Sequence, residues 1–301
     1  MVLAEHLAGI RAFNRTVTER AGVLDQEYLA RGRSLGASRL QWEIGIDGAD
    51  VGLLRARLGL DSGYVSRLLR SLETEGLVEV GPGSPDQRRR LARLTVAGRR
   101  EVAELDRLSD EVAAGMVTPL DRRRRSQLLE AMATVERLLT ASAVEIGVAD
   151  PRGDDAALCM RSYFGELDQR FSDGFDQALS TSVDYAEFAE PTGLLLIAQL
   201  RQQPIGCGAL KFHDGQPPDI KRMWVAPDGR GLGVGRRLLE ALEGEAARRG
   251  AKKIRLETNR SLGEAISLYR SSGYVEVAPF NREHYADHWF EKRLSPSGKR
   301  T

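Results

Sequence analysis

The sequence has few cysteines, no long apolar runs and no lysine in its first half. Its 301 residues include 2 cysteines, Cys159 and Cys207, too few and too far apart for a disulfide framework or a zinc finger. No stretch approaches the roughly 18 uncharged apolar residues of a membrane helix. Charged residues such as Glu5 and Arg11 near the start do not fit a signal peptide. These absences predict a cytoplasmic protein without a membrane segment.

Charge is balanced over the chain but not along it. The 44 Lys and Arg residues face 43 Asp and Glu residues, and the 42% hydrophobic content excludes a disordered or collagen-like chain. Residues 53–100 are locally basic, with 10 arginines against 5 acidic residues. Such a segment is typical of a phosphate-contacting surface, although a solvated helix face can also be basic.

The length and the periodicity predict two domains. Residues 1–147 carry apolar residues at helical spacing and are predicted to be mainly α, with helices at 3–20, 22–31, 36–46, 102–117 and 126–146. A polar, turn-rich linker is predicted at 148–154. Residues 155–294 alternate strand and helix patterns, which predicts an α/β domain with a mixed sheet, and 295–301 form a tail.

A helix-turn-helix pattern occupies the basic segment. A helical run at 51–58 stops at Gly59, and Asp61 or Ser62 can cap a second helix. One face of that second helix is apolar. Its other face is short, polar and basic, which suits a DNA major groove but also fits a solvated helix. The outward residues are Ser62, Gly63, Ser66, Arg67 and Arg70.

A strand, turn and strand follow this helix, with arginines at the turn. The segments Asp61–Val78, Asp86-Gln87-Arg88 and Leu94–Arg99 resemble the MarR-type winged-helix regulators. The resemblance implies a homodimer formed by the first and last helices of the domain. It also implies that the second helix reads double-stranded DNA and that Arg88, on the wing, enters the minor groove. A mere turn-stabilising ion pair of Asp86 with Arg88 is the competing interpretation.

The second domain contains one candidate phosphate-binding loop. Residues 220–225 read as a strand, and glycines then precede a helix, where backbone N–H groups can hold an anion. A Walker loop is excluded because no Lys-Ser/Thr pair follows the glycines. A dinucleotide fold is disfavoured because Arg236 replaces the third glycine. A glycine turn without a ligand stays open.

The remaining pattern, Arg230-x-x-Gly233-x-Gly235, resembles the coenzyme-A loop of the GNAT-type N-acetyltransferases. Further matching segments are Ile220–Pro227, Leu256–Asn259 and Ala265–Tyr274. The resemblance implies acetyl-CoA as co-substrate and an amine as acceptor. It assigns Tyr269 to protonation of the departing thiolate, a task that suits a phenol. The implied cofactor-binding residues are Met223, Val225, Arg230, Gly231, Leu232, Gly233, Val234, Gly235, Arg236 and Asn259.

The general base is not assigned by the sequence. Candidates are Asp219, Glu187, Glu190, Glu257 and His284. No metal is predicted, because His284 and His288 lack a third ligand nearby. We therefore expect a transcriptional regulator fused to an N-acetyltransferase. The alternatives are a non-catalytic acetyl-CoA or metabolite sensor that binds DNA, and an enzyme whose first domain only dimerises.

Overall fold

The computed structural model describes residues 2–22, 29, 31–83, 90–180 and 184–294. The chain divides into two compact units, Met1–Met132 and Ala133–Thr301. Arg88, most of the helix predicted at 22–31 and the tail at 295–301 lie outside the described residues. Within the described part, no helix is both long and apolar enough to cross a membrane.

The first unit is mainly helical, with a small antiparallel sheet. The strands are β1 (Ala49–Asp50), β2 (Val78–Pro82) and β3 (Arg90–Leu94), in the order β1-β3-β2. The helices are α1 (Val2–Arg20), α2 (Leu35–Ile44), α3 (Val51–Leu58), α4 (Ser62–Thr74), α5 (Val96–Val117) and α6 (Arg122–Ser142), the last of which contains the boundary between the units.

The α3–α4 segment folds as the sequence predicts. Gly59 ends α3 with φ 64°, a left-handed conformation that glycine adopts without strain. Asp61 caps α4, because its Oδ1 accepts a hydrogen bond from the Tyr64 N–H at 2.9 Å. The apolar face of α4 is buried in the core of the unit, together with side chains of α2, α3, β2 and β3. Its buried residues are Val65, Leu68, Leu69 and Leu72.

A buried carboxylate ties α5 to the segment before α2. Glu101 is 8% exposed, and its two oxygens bind Arg31 at 2.6 Å and Arg33 at 2.7 Å. The hydrogen bond from Arg31 lowers the pKa of Glu101 below its ordinary value, against the opposing effect of burial. Arg33 also binds Glu75, the residue that ends α4, at 2.6 Å. The network therefore links three segments of the unit.

The second unit is a mixed sheet with helices, which confirms the predicted α/β class. Its described strands run in the order β4-β5-β6-β7-β8-β10-β9, with β7 and β8 parallel and the other neighbours antiparallel. The strands are β4 (Val144–Ala149), β5 (Gly193–Leu200), β6 (Gln203–His213), β7 (Gln216–Val225), β8 (Lys253–Thr258), β9 (Val275–Val277) and β10 (His288–Arg293). The helices are α7 (Asp154–Arg170), α8 (Val234–Arg248) and α9 (Gly263–Ser271).

The predicted boundary at 147 and the predicted linker at 148–154 are wrong. Strand β4 pairs with β5 from Val144 opposite Leu200 to Ala149 opposite Leu195, so residues 144–147 belong to the second sheet. The predicted helix at 126–146 likewise ends at Ser142. The periodicity failed here because Ala143 alone separates α6 from β4, and apolar residues continue across the junction.

Candidate functional site

The two parallel strands at the centre of the second sheet separate along their length. Strand β7 pairs with β8 only at Asp219 opposite Arg255 and Ile220 opposite Leu256. The residues of β7 from Lys221 to Val225 have no partner on β8, although both strands are fully described. Met223 and Val225 therefore make no backbone hydrogen bonds to β8, and the Val225 carbonyl accepts one from Arg230 Nε at 3.4 Å.

The glycine loop after β7 can accept an anion. Gly231 and Gly233 have φ of 77° and 74°, and a β-carbon at either position would point into open space. Gly233 precedes α8 without any side-chain cap, so the first N–H groups of the helix remain free for a ligand. Val234 is 1% exposed and belongs to the core, so it can contribute only its backbone. Leu232, between the two glycines, is half-buried against the same core.

Gly235 is required for packing rather than for its conformation. A β-carbon at Gly235 would lie 3.3 Å from the Leu268 side chain on α9. The glycine thus allows α8 and α9 to approach closely beside the loop.

The two arginines of the loop are held by neighbouring side chains. The Arg230 guanidinium binds both carboxylate oxygens of Glu166, at 2.8 and 2.7 Å. The same carboxylate accepts a hydrogen bond from the Trp224 indole at 3.0 Å. Arg236 donates to the hydroxyl of Ser271 at 3.0 Å. These contacts fix the loop against α7 and α9. The binding of phosphate by the two arginines stays a prediction.

Two neighbouring cavities meet beside β7. The loop cavity is lined by residues of α7, the end of β7, the glycine loop and α9, including Glu166, Val225, Arg230, Gly235 and Leu268. The aromatic cavity is lined by Phe171, Phe175, Tyr285, Glu257 and Asn259, among others. The residues common to both cavities are Tyr163, Leu167, Met223, Leu262, Ala265 and Tyr269.

Two tyrosines lie at this common border. Tyr269 is 5% exposed, and burial raises its pKa well above the ordinary value for a phenol. Burial also raises the pKa of Tyr163 to about 12. Both hydroxyls are therefore protonated at neutral pH and can act as donors. Tyr269 was predicted from the sequence, whereas Tyr163 was not, because no motif includes the middle of α7.

A buried ion pair lines the aromatic cavity. Lys221 and Glu257 form a salt bridge, with their side chains 9% and 6% exposed. The other Glu257 oxygen accepts a hydrogen bond from Asn281 at 3.3 Å. Asn259 is bound to protein at both ends of its amide, donating to the Tyr285 carbonyl at 2.7 Å and accepting from the Ser261 N–H at 2.9 Å.

The other candidate bases lie elsewhere. Asp219 is held by His213 and Arg255, Glu187 by Lys211, and Glu190 by Arg249, and none of the three carboxylates lines either cavity. His284 packs edge-on against Tyr285. Among the candidates, Glu257 lines the aromatic cavity, while His284 lines an adjoining cavity that shares Phe171, Phe175 and Tyr285 with it.

In the first unit, the polar face of α4 is solvent-accessible. Ser62, Gly63, Arg67 and Arg70 are exposed and Ser66 is half-buried. Among the described residues, neither Arg67 nor Arg70 forms a salt bridge. Arg67 instead lies over the Tyr64 ring, 5.8 Å from its centre. Arg88 falls in the gap between β2 and β3 that is not described.

Sequence reasoning missed the contribution of α7. Glu166, Arg170 and Tyr163 line the loop cavity, and Arg170 binds Glu264 of α9 at 2.8 Å. Glu166 lies 64 residues before Arg230, the partner it holds. A pairing over that separation leaves no local pattern in one sequence. The strand and helix alternation of residues 155–294 predicts helices in this domain, but it does not indicate which of their side chains face the loop.

The chain belongs to the GNAT acetyltransferase family. The family model described as "Acetyltransferase (GNAT) family" matches residues 161–274, which contain β7, the glycine loop and Tyr269. An "IAA acetyltransferase" from Azospirillum brasilense is 35% identical over 116 residues, covering 38% of this chain and 76% of that relative. The chain is accordingly an N-acetyltransferase that uses acetyl-CoA as co-substrate.

Two further similar proteins cover 42% and 51% of the chain. An uncharacterized N-acetyltransferase from Schizosaccharomyces pombe is 27% identical over 131 residues, covering 42% of this chain and 78% of the relative. The crystal structure of a GNAT-family acetyltransferase from Staphylococcus aureus is 16% identical with a TM-score of 0.45, covering 51% of this chain and 100% of that one.

Proposed function

We propose that the chain is a bifunctional transcriptional regulator and acetyl-CoA-dependent N-acetyltransferase, with acetyl transfer at the border of the two cavities. The observation that carries the catalytic half is the meeting of two cavities at Met223, Tyr163 and Tyr269, one of which reaches Gly235 at the uncapped start of α8. The loop cavity would then hold acetyl-CoA, and the aromatic cavity would hold the acceptor amine.

The glycine loop would hold the diphosphate of acetyl-CoA. Backbone N–H groups of residues 231–235 supply donors, and the start of α8 supplies partial positive charge. Arg236 would add a charge-assisted contact from the loop surface. Arg230, braced by Glu166, would set the position of the loop and contribute positive potential. Met223 and Val225 would bind the pantetheine arm through backbone groups on the part of β7 that has no partner on β8.

Transfer requires a neutral amine, a donor for the oxyanion and a proton for the leaving thiol. The amine nitrogen forms a bond to the carbonyl carbon, the C–S bond breaks, and the amine loses one proton to solvent or a base. We assign the Val225 N–H to the carbonyl oxygen, as in an oxyanion hole. Tyr269, kept protonated by burial, would donate a hydrogen bond or its proton to the thiolate.

The catalytic proposal is tested by screening amines and peptides for acetyl-CoA-dependent thiol release. We expect at least one class of amine to release free thiol and to carry one added acetyl group in mass spectrometry. Acetyl-CoA binding without release of thiol for any amine would contradict catalysis and favour a sensing role.

The DNA-binding half of the proposal is supported by α4. Its N-terminal residues and both arginines form an exposed polar and basic face, while its opposite face is fixed in the core. Recognition helices of helix-turn-helix proteins place such residues against base edges and phosphates. Ser62, Gly63 and Ser66 would approach the bases, Arg67 and Arg70 would pair with guanine or phosphate, and Arg88 would reach the minor groove.

Dimer formation is supported by apolar side chains that a single chain leaves exposed. On α1, Leu7, Ile10, Phe13 and Val17 are each at least 45% exposed and recur on one face. On α6, no described residue is buried, and Met132 and Leu139 are 53% and 63% exposed. A second copy of the chain would cover these faces in a symmetric dimer.

Footprinting with the full chain tests this geometry. A dimer that presents two α4 helices should protect a near-palindromic site with half-sites about one helical turn, roughly 10 base pairs, apart. Protection of a single half-site, or sedimentation of the chain as a monomer, would contradict DNA recognition by a dimer.

A further inference from the structure

The aromatic cavity has a wall of ring side chains carried by two loops. Phe171 and Phe175 lie at and after the end of α7, and Tyr285 lies in the loop before β10. The ring centre of Tyr285 is 5.4 Å from that of Phe171 and 4.8 Å from that of Phe175. Phe164 stacks on Phe175 at 5.5 Å with an angle of 12° between the planes. The rings thus form one continuous aromatic surface.

Hydrogen bonds within the protein fix the segments that carry these rings. The Phe175 N–H donates to Asp168 Oδ1 at 3.1 Å, and the Asp176 N–H donates to the Tyr285 hydroxyl at 2.7 Å. Asn259 donates to the Tyr285 carbonyl at 2.7 Å. A surface that is already ordered loses little conformational entropy on binding, so it favours a ligand of matching shape.

The wall is not explained by core packing. Among the described residues, Phe171, Phe175 and Tyr285 belong to none of the three apolar cores, and all three remain partly exposed. Loops at a surface rarely keep three large aromatic side chains together unless they contact a partner or a ligand. Here the cavity that these rings line is the one proposed to receive the acceptor.

Charge in the same cavity is balanced close to the site of transfer. Lys221 and Glu257 form a salt bridge, and Arg222 and Glu283 also line the cavity, so its two basic and two acidic residues leave no excess charge to pair with a second charge on the acceptor. The aromatic side chains, and not a net charge, are therefore the feature of this cavity that can select a ligand. Offset or edge-on stacking on such rings stabilises a flat ligand beyond the burial of its area.

We propose that the acceptor is an arylalkylamine, a primary amine on a short chain that carries an aromatic ring. This inference rests on the acetyl transfer proposed above. The ring of the acceptor packs against Phe175 and Tyr285, and the chain directs the amino group to the cavity border at Met223. Phe171, Phe175 and Tyr285 are then specificity-determining residues of the acceptor site.

The test compares three amines of similar length with the full-length enzyme. These are 2-phenylethylamine, n-hexylamine and 1,5-diaminopentane, each assayed for kcat/KM at saturating acetyl-CoA. We expect 2-phenylethylamine to be preferred over n-hexylamine by about 10-fold, since each aromatic contact contributes roughly 2- to 12-fold.

Phe175→Leu removes the central ring and keeps an apolar side chain. We expect it to lower the preference for 2-phenylethylamine over n-hexylamine at least threefold, while an unchanged Kd for acetyl-CoA, whose proposed cavity Phe175 does not line, reports a folded enzyme. Tyr185→Leu is the matched control, because Tyr185 is 37% exposed and lines neither cavity. Its preference should equal that of the wild type.

The outcomes separate this inference from the function on which it rests. Equal rates for 2-phenylethylamine and n-hexylamine, or a preference for the diamine, would overturn the arylalkylamine assignment while leaving N-acetyl transfer intact. A preference unchanged by Phe175→Leu would overturn the role of the wall. Failure to acetylate any amine would overturn both proposals.

Discussion

At the scale of single residues, Tyr269 gives the most direct test of chemistry. Tyr269→Phe removes a hydroxyl at the border of the two cavities and keeps the ring that packs near Tyr274 and Phe290. We expect kcat to fall at least 10-fold while the Kd for acetyl-CoA changes less than twofold, because the hydroxyl acts on the departing thiolate. Steady-state kinetics and calorimetry measure the two quantities.

Tyr163→Phe is the comparison variant, since Tyr163 lines the same border. We expect it to lose less activity than Tyr269→Phe. Unchanged turnover in Tyr269→Phe would remove the proposed role, and a larger loss in Tyr163→Phe would transfer it to the other phenol.

Substitution of Gly233 tests whether the glycine loop binds acetyl-CoA. Gly233→Val places a branched side chain in the open space over the loop and strains a backbone with φ of 74°. We expect acetyl-CoA affinity to fall at least 100-fold in a calorimetric titration. Gly215→Val is a matched control, because Gly215 has φ of 68° and open space around it but lies in the turn between β6 and β7. Equal affinities in the two variants would refute the loop assignment.

Single residues also mark the limit of inference from sequence. The loop glycines could be predicted from local backbone requirements, and Tyr269 from the resemblance of its segment to the GNAT-type pattern. Their partners could not be predicted. Glu166 holds Arg230 and Trp224 from a distant helix, and no periodicity in one sequence reports which side chains the fold brings together.

At the scale of helices and strands, more of the structure could be predicted from the sequence than at the scale of side-chain contacts. The cap at Asp61 and the buried stripe of α4 follow from local hydrogen bonding and from the 3.6-residue period, and both are confirmed. Strand β4 was missed for a physical reason. It is an edge strand that begins one residue after α6, and its identity depends on pairing with β5, which a local pattern does not contain.

The Glu101 network predicts a pH-dependent stability of the first unit. The pKa of Glu101 is lowered in the folded state by the hydrogen bond from Arg31, so its stabilisation is present at neutral pH and is lost as the pH falls through that lowered pKa. Glu101→Gln should reduce the free energy of unfolding by about 1–3 kcal/mol at pH 7, because the arginines lose their charged partner.

Chemical denaturation of both proteins between pH 7 and pH 3 measures this difference. The gap between wild type and Glu101→Gln should narrow steadily towards acid pH. A gap of constant size across that range would show that Glu101 acts through packing and not through its charge.

At the scale of the whole molecule, the chain joins two units of different composition. The arginine-rich first unit presents α4 and its basic face, and the second unit carries the acetyltransferase fold together with every lysine of the chain. We propose that the first unit recognises DNA and that the second transfers acetyl groups, so that one chain has both activities.

Selection of genomic fragments by the full-length protein at physiological salt tests whether this acetyltransferase chain also recognises specific DNA sequences. The wild type should enrich a small set of near-palindromic sites. Arg67→Ala should weaken binding by roughly 1–3 kcal/mol. If Arg67 contacts guanine, the variant should also discriminate less between sequences. If Arg67 contacts a phosphate, the slope of log K against log salt concentration should fall by about one instead. Arg123→Ala, at an exposed position on α6, should select the same sites as the wild type. If the wild type enriches no sequence, or if Arg67→Ala enriches the same sites with equal affinity, the DNA-reading role of α4 is contradicted.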